Sequence, residues 1–186
     1  MDALLTAFVA AALAEWGDKT QLLVALLAAA TRRPGRVLAG LFLALAASNA
    51  LAAAAGTVIA GMVTIRAMTL LVALALLFAG VAGLIRREVK EAAPARWLVA
   101  GAFVLCLAAE IGDRTQFLTF ALAGRFGSAP LTAAGATAGA LAACLPAALL
   151  GERLRETVPM RPLRYAIAGA FLVAGFLVAV SALQLA

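Results

Sequence analysis

The sequence predicts an all-α membrane protein: six transmembrane helices arranged as two inverted three-helix repeats. Three observations carry that expectation. Of 186 residues, 66% are apolar and 13% are charged, whereas a soluble chain holds about 25% charged residues. Apolar stretches near the roughly 20 residues needed to cross a bilayer recur six times. Finally, one polar hexapeptide occurs twice, as Glu15-Trp16-Gly17-Asp18-Lys19-Thr20 and Glu110-Ile111-Gly112-Asp113-Arg114-Thr115, at an offset of 95 residues.

The first apolar stretch, 3–29, carries the first hexapeptide near its middle. At about 27 residues, or roughly 40 Å of helix, it exceeds a bilayer core and predicts a tilt or a break. Residues 1–14 end in Ala12-Leu13-Ala14, which resembles a signal-peptidase site, but Asp2 stands where a basic residue is usual. Cleavage there would also leave one hexapeptide at a chain end, so the segment is read as a retained span. Thr31-Arg32-Arg33-Pro34-Gly35-Arg36 closes it. The second span, 37–61, contains Ser48 and Asn49 and links through Met62 to Arg66 into the third, 67–85, which stops at Arg86-Arg87-Glu88-Val89-Lys90-Glu91. The fourth, 97–123, holds the second hexapeptide and has the length of the first. Gly124-Arg125-Phe126-Gly127 leads to the fifth, 131–150, and Gly151-Glu152-Arg153-Leu154-Arg155 precedes the sixth, 165–185.

The offset of 95 also relates Gly40 to Gly135, Gly56 to Gly151, and Ala79-Gly80 to Ala174-Gly175. The halves 1–91 and 96–186 therefore form one repeat each, together one membrane domain. Three crossings end opposite their start, so the second half enters inverted, the plan of many secondary transporters with sites at the bilayer midplane.

A net charge of +6 invites a nucleic-acid partner, but its distribution argues against one. Arg32, Arg33, Arg36, Arg86, Arg87, Lys90, Arg96, Arg153, Arg155, Arg161 and Arg164 follow the odd-numbered spans, against only Arg66 and Arg125 opposite. This positive-inside bias places both termini outside. Cys106 and Cys144 fall within spans and are read as small core residues.

Charge in the middle of a span is costly and marks ion pathways. On a continuous helix Glu15 and Asp18 lie about 60° apart, and Lys19, four residues on, is spaced to pair with Glu15. Glu110, Asp113 and Arg114 repeat the pattern. Facing each other, the two copies converge four carboxylates and two cations, a net −2 that a divalent cation neutralises. The chain has no histidine and only two cysteines, which disfavours zinc and copper. Carboxylates with Gln21, Gln116 and Asn49 as further oxygen donors suit magnesium, calcium or manganese. Gly17 and Gly112 are positions for a local break that frees carbonyls. Thr20 and Thr115 are expected to bond their own helix carbonyls. The same carboxylates would have to carry protons, in competition with the cation.

Both hexapeptides fit Glu-hydrophobic-Gly-Asp-(Lys/Arg)-(Thr/Ser), and in a six-span chain this resembles the GDT-type family of membrane cation exchangers, also called uncharacterised protein family sixteen. The resemblance covers nearly the whole chain. It implies a divalent cation/proton antiporter, not an enzyme, of the bacterial manganese-exporter branch, with calcium as the second cargo and no cofactor. Lipid, cation and protons are its implied partners, and the alanine- and arginine-rich composition fits a bacterial inner membrane with periplasmic termini. Rival readings are a small-solute exporter such as an amino-acid exporter, a passive channel, and an intramembrane aspartyl protease. The protease is opposed by Glu two residues before each motif glycine and by Tyr165 being the only tyrosine.

Overall fold

The computed structural model describes residues 1–85, 98–151 and 159–183. All regular structure among them is helical: α1 (Asp2–Glu15), α2 (Lys19–Thr31), α3 (Pro34–Ala60), α4 (Ile65–Leu84), α5 (Leu98–Glu110), α6 (Arg114–Phe126), α7 (Ala129–Leu150) and α8 (Met160–Leu183). The basic clusters Arg86, Arg87, Lys90 and Arg96, and Arg153 and Arg155, lie outside the described residues. Four helices, α3, α4, α7 and α8, are long and apolar enough to cross a membrane.

The spans expected at 3–29 and 97–123 are each two short helices. α1 and α2 have 14 and 13 residues, α5 and α6 13 each, roughly 20 Å apiece at 1.5 Å per residue. The break sits inside each hexapeptide because Gly17 (φ 75°) and Gly112 (φ 72°) adopt the left-handed conformation, which a residue with a Cβ rarely takes. Of the two ways to accommodate an overlong span, the chain breaks it.

The other boundaries follow local chemistry. α3 begins at Pro34, whose missing N–H costs nothing in a first turn. Thr64 caps α4 by accepting from the Ala67 N–H at 3.2 Å. α2 and α6 end at Arg32 and Gly127, both left-handed and 95 residues apart.

The helices pack α1 on α7, α5 on α3 and α4 on α8, with α6 against α3 and α4 and α2 against α7. Small residues let these backbones approach, as membrane interfaces require. A Cβ on Gly40 would stand 2.6 Å from the Val99 carbonyl oxygen, and one on Gly135 would strike the Leu4 carbonyl. Likewise Gly80 receives the Leu172 side chain and Gly175 receives Leu77. Each contact maps onto its counterpart under the 95-residue offset. Leu51, Val173 and Phe176 are exposed, whereas Glu15, Asp18, Glu110, Asp113 and Arg114 are buried. This is the outside-in polarity of a protein whose solvent is lipid. Cys106 and Cys144 are buried and unbridged, as small core residues.

Candidate cation site

Four helix ends meet at the two hexapeptides: the C-termini of α1 and α5 and the N-termini of α2 and α6. Asp18 and Asp113 occupy the N-cap positions of α2 and α6, where aspartate ordinarily accepts from its own first-turn N–H groups. Neither makes that bond. Both side chains are engaged across the molecule instead, and so are the motif's glutamates, basic residues and threonines.

Four pairings join the copies reciprocally. Thr20 Oγ1 donates to Glu110 Oε1 at 2.8 Å, and Thr115 Oγ1 donates to Glu15 Oε1 at 2.6 Å. Lys19 Nζ stands 3.0 Å from Asp113 Oδ1, and an Arg114 guanidinium nitrogen stands 3.3 Å from Asp18 Oδ1. The same Arg114 nitrogen donates to the Ala14 carbonyl, one of the carbonyls left open at the end of α1. Glu15, Asp18, Glu110 and Asp113 are all buried, and each is tied to a residue of the other copy.

Two expectations are corrected here. The ion pairs are not Glu15–Lys19 and Glu110–Arg114 along one helix. The break removes the i, i+4 register that would have joined them, and each cation crosses to the other copy's aspartate. Thr20 and Thr115 bond the opposite glutamates rather than their own carbonyls, because each opens a new helix whose preceding turn is missing.

Gln21 and Gln116 secure the breaks. Gln21 Oε1 accepts from the Gly17 N–H and Gln116 Oε1 from the Gly112 N–H, both at 2.9 Å. Their amide nitrogens reach equivalent places, the Ala143 carbonyl at 2.7 Å and Ser48 Oγ at 3.2 Å. Asn49 accepts from Thr119 at 2.9 Å and donates to Thr137 at 3.3 Å. Sequence reasoning missed Thr119 and Thr137. Thr119 lies one turn after Thr115 on the same face, a signal that could have found it; Thr137 gave none. This polar cluster has no twin, since the positions 95 residues away are Cys144, Val24 and Phe42.

The copies also differ in surroundings. A cleft of about 800 Å³ between α3, α4 and α6 is lined by Gly112, Asp113 and Gln116 together with Phe78, Phe117 and Phe120. Ile111 is 68% exposed, whereas its counterpart Trp16 is partly buried against the core. Among the described residues, no three acidic or cysteine side chains gather as ligands of one ion. Each carboxylate keeps an oxygen outside the four pairings between copies, and Glu15 Oε2 and Asp113 Oδ2 are buried with no hydrogen-bond partner among the described residues.

A duplicated, buried, cross-braced acidic motif at broken helices has the character of an ion-transport site, and comparison with known proteins agrees. The family model described as Divalent cation/proton antiporter GDT1 matches residues 3–91 and 98–186. The chain belongs to this family. It is 34% identical over 178 residues to a Vibrio cholerae serotype O1 protein named "Putative manganese exporter", covering 93% of this chain and 88% of the relative. No solved structure matches. The GDT1 membership makes the chain a membrane cation transporter.

Proposed function

We propose that the chain exports manganese from the bacterial cytoplasm in exchange for protons, across the inner membrane, through a midplane site built from Glu15, Asp18, Glu110 and Asp113. One observation carries this reading: each acid of one hexapeptide is held by a cation or hydroxyl of the other. Such a cluster couples both halves to whatever binds it. Carboxylates accept divalent cations and protons alike, and the α1 and α5 C-termini add carbonyl character favourable to a cation. Lys19 and Arg114 balance charge. The manganese assignment is supported by the name of the Vibrio relative, with calcium as the second cargo.

The reading includes six spans as two inverted repeats, α1 with α2 and α5 with α6 each forming one broken span. It is supported by the two separate family matches, one per half, and by the paired glycine contacts. Both termini are then periplasmic, with the loops around Arg32, Lys90 and Arg155 cytoplasmic. Single cysteines placed beside Arg125 should react with an impermeant thiol reagent from the periplasm. Labelling from the cytoplasm would overturn the orientation.

The transport claim is tested in proteoliposomes carrying a pH-sensitive dye. Manganese on one face should drive counter-movement of protons, with calcium weaker and magnesium as a comparison. Manganese flux without proton movement would point to a passive channel instead.

A further inference from the structure

We infer that Lys19 is the specificity-determining residue of this site: its ammonium is a tethered cation on Asp113 that a divalent ion displaces and a monovalent ion does not. The inference rests on the transport reading above.

The two cross-copy ion pairs are built differently. Arg114 and Asp18 have side chains only 4% and 2% exposed, and Arg114 is anchored a second time on the Ala14 carbonyl. The Lys19–Asp113 pair joins a side chain that is 23% exposed to a carboxylate with no exposed surface. Asp113 also belongs to the residues lining the 800 Å³ cleft, with Gln116 beside it. The acid nearest an open approach is therefore the one covered by the more accessible of the two cations.

The residue types reinforce the difference. Arginine offers a planar fork of donors and holds its geometry, whereas lysine is a point charge on a flexible stem. A sodium or potassium ion replacing Lys19 on Asp113 brings the same single charge. It gains no Coulomb energy, strands the ammonium beside a shielded site, and competes with a group whose tether gives it a high effective concentration. A manganese or calcium ion brings twice the charge, so it gains on Asp113 a Coulomb term that a monovalent ion lacks, to set against its dehydration and the displaced ammonium. Rejection of monovalent ions then needs no size filter.

The test uses purified full-length protein, with free manganese read by its paramagnetic resonance signal. Wild type should bind manganese equally well in sodium and in N-methylglucamine at matched ionic strength. Lys19→Arg should stay insensitive to sodium, since it keeps a tethered charge, but bind manganese more weakly, since a guanidinium holds its place on a carboxylate better than an ammonium does. Lys19→Met should bind manganese roughly tenfold more tightly without sodium, the scale on which close, shielded charge pairs act, and should lose that gain as sodium is added. Lys19→Met binding that ignores sodium overturns the inference. So does sodium competition in wild type, which needs no variant and holds even if Lys19→Met fails to fold. If wild type binds no divalent ion at all, the transport reading itself falls.

Discussion

Asp113→Asn is expected to abolish divalent-cation transport while leaving a folded, monodisperse protein. The substitution preserves shape but removes a charged oxygen donor and the partner of Lys19. The Lys19 side chain is 23% exposed against 4% for that of Arg114, so folding loses less than at the more enclosed pair. Asp18→Asn should abolish transport equally but cost more stability, because Arg114 is 3% exposed and its guanidinium would lose its charged partner. Breaking a buried pair from one side costs about 3–5 kcal/mol, partly offset here by the surviving bond to Ala14. The checks are manganese flux into proteoliposomes and the thermal unfolding midpoint in detergent. Asp113→Asn with wild-type flux would remove Asp113 from the site. Equal destabilisation by the two variants would contradict the difference in burial between the ion pairs.

The sequence made the membrane class, the duplication and the break legible, since each rests on local chemistry. Composition sets the class, and a glycine within an overlong apolar stretch marks where a helix stops. The contacts between copies were not legible. Thr20 to Glu110 and Thr115 to Glu15 join residues 90 and 100 positions apart, and helical periodicity speaks only of neighbours. Applying that periodicity across Gly17 gave the wrong partner for Lys19, because residues on either side of a left-handed glycine no longer share a helical face. Gln21 and Gln116 read as oxygen donors for an ion, yet their carbonyl oxygens hold the broken backbone. Nothing in a side-chain inventory distinguishes those uses. The asymmetry between halves was hidden for another reason. An offset search scores what repeats, and Asn49, Thr119 and Thr137 are informative because Cys144, Val24 and Phe42 do not repeat them.

Manganese affinity is expected to fall as the medium is acidified, and an outward-acid gradient to accelerate export. Moving a divalent cation against its gradient needs an energy source, and membership of a divalent cation/proton antiporter family points to the proton gradient. The proton gradient is the driver that buried carboxylates can use. Protonating an acid removes the charge that holds the cation, so the sign is fixed: more protons bound means weaker cation binding. By linkage, affinity changes by up to about tenfold per pH unit for each proton displaced. A slope near two therefore reads an exchange of two protons per divalent ion, and a slope near one reads a single shared proton. Glu15 and Glu110 are suited to carry these protons, since each is buried and held by a hydroxyl rather than by a cation. Glu15→Gln or Glu110→Gln should therefore flatten the pH dependence, whereas Asp113→Asn removes binding itself. In vesicles, a protonophore should slow export driven by the imposed pH gradient to the rate seen without one. An affinity that stays flat as the pH is lowered, together with export indifferent to the protonophore, would exclude proton exchange at a shared site and leave a passive path for the cation.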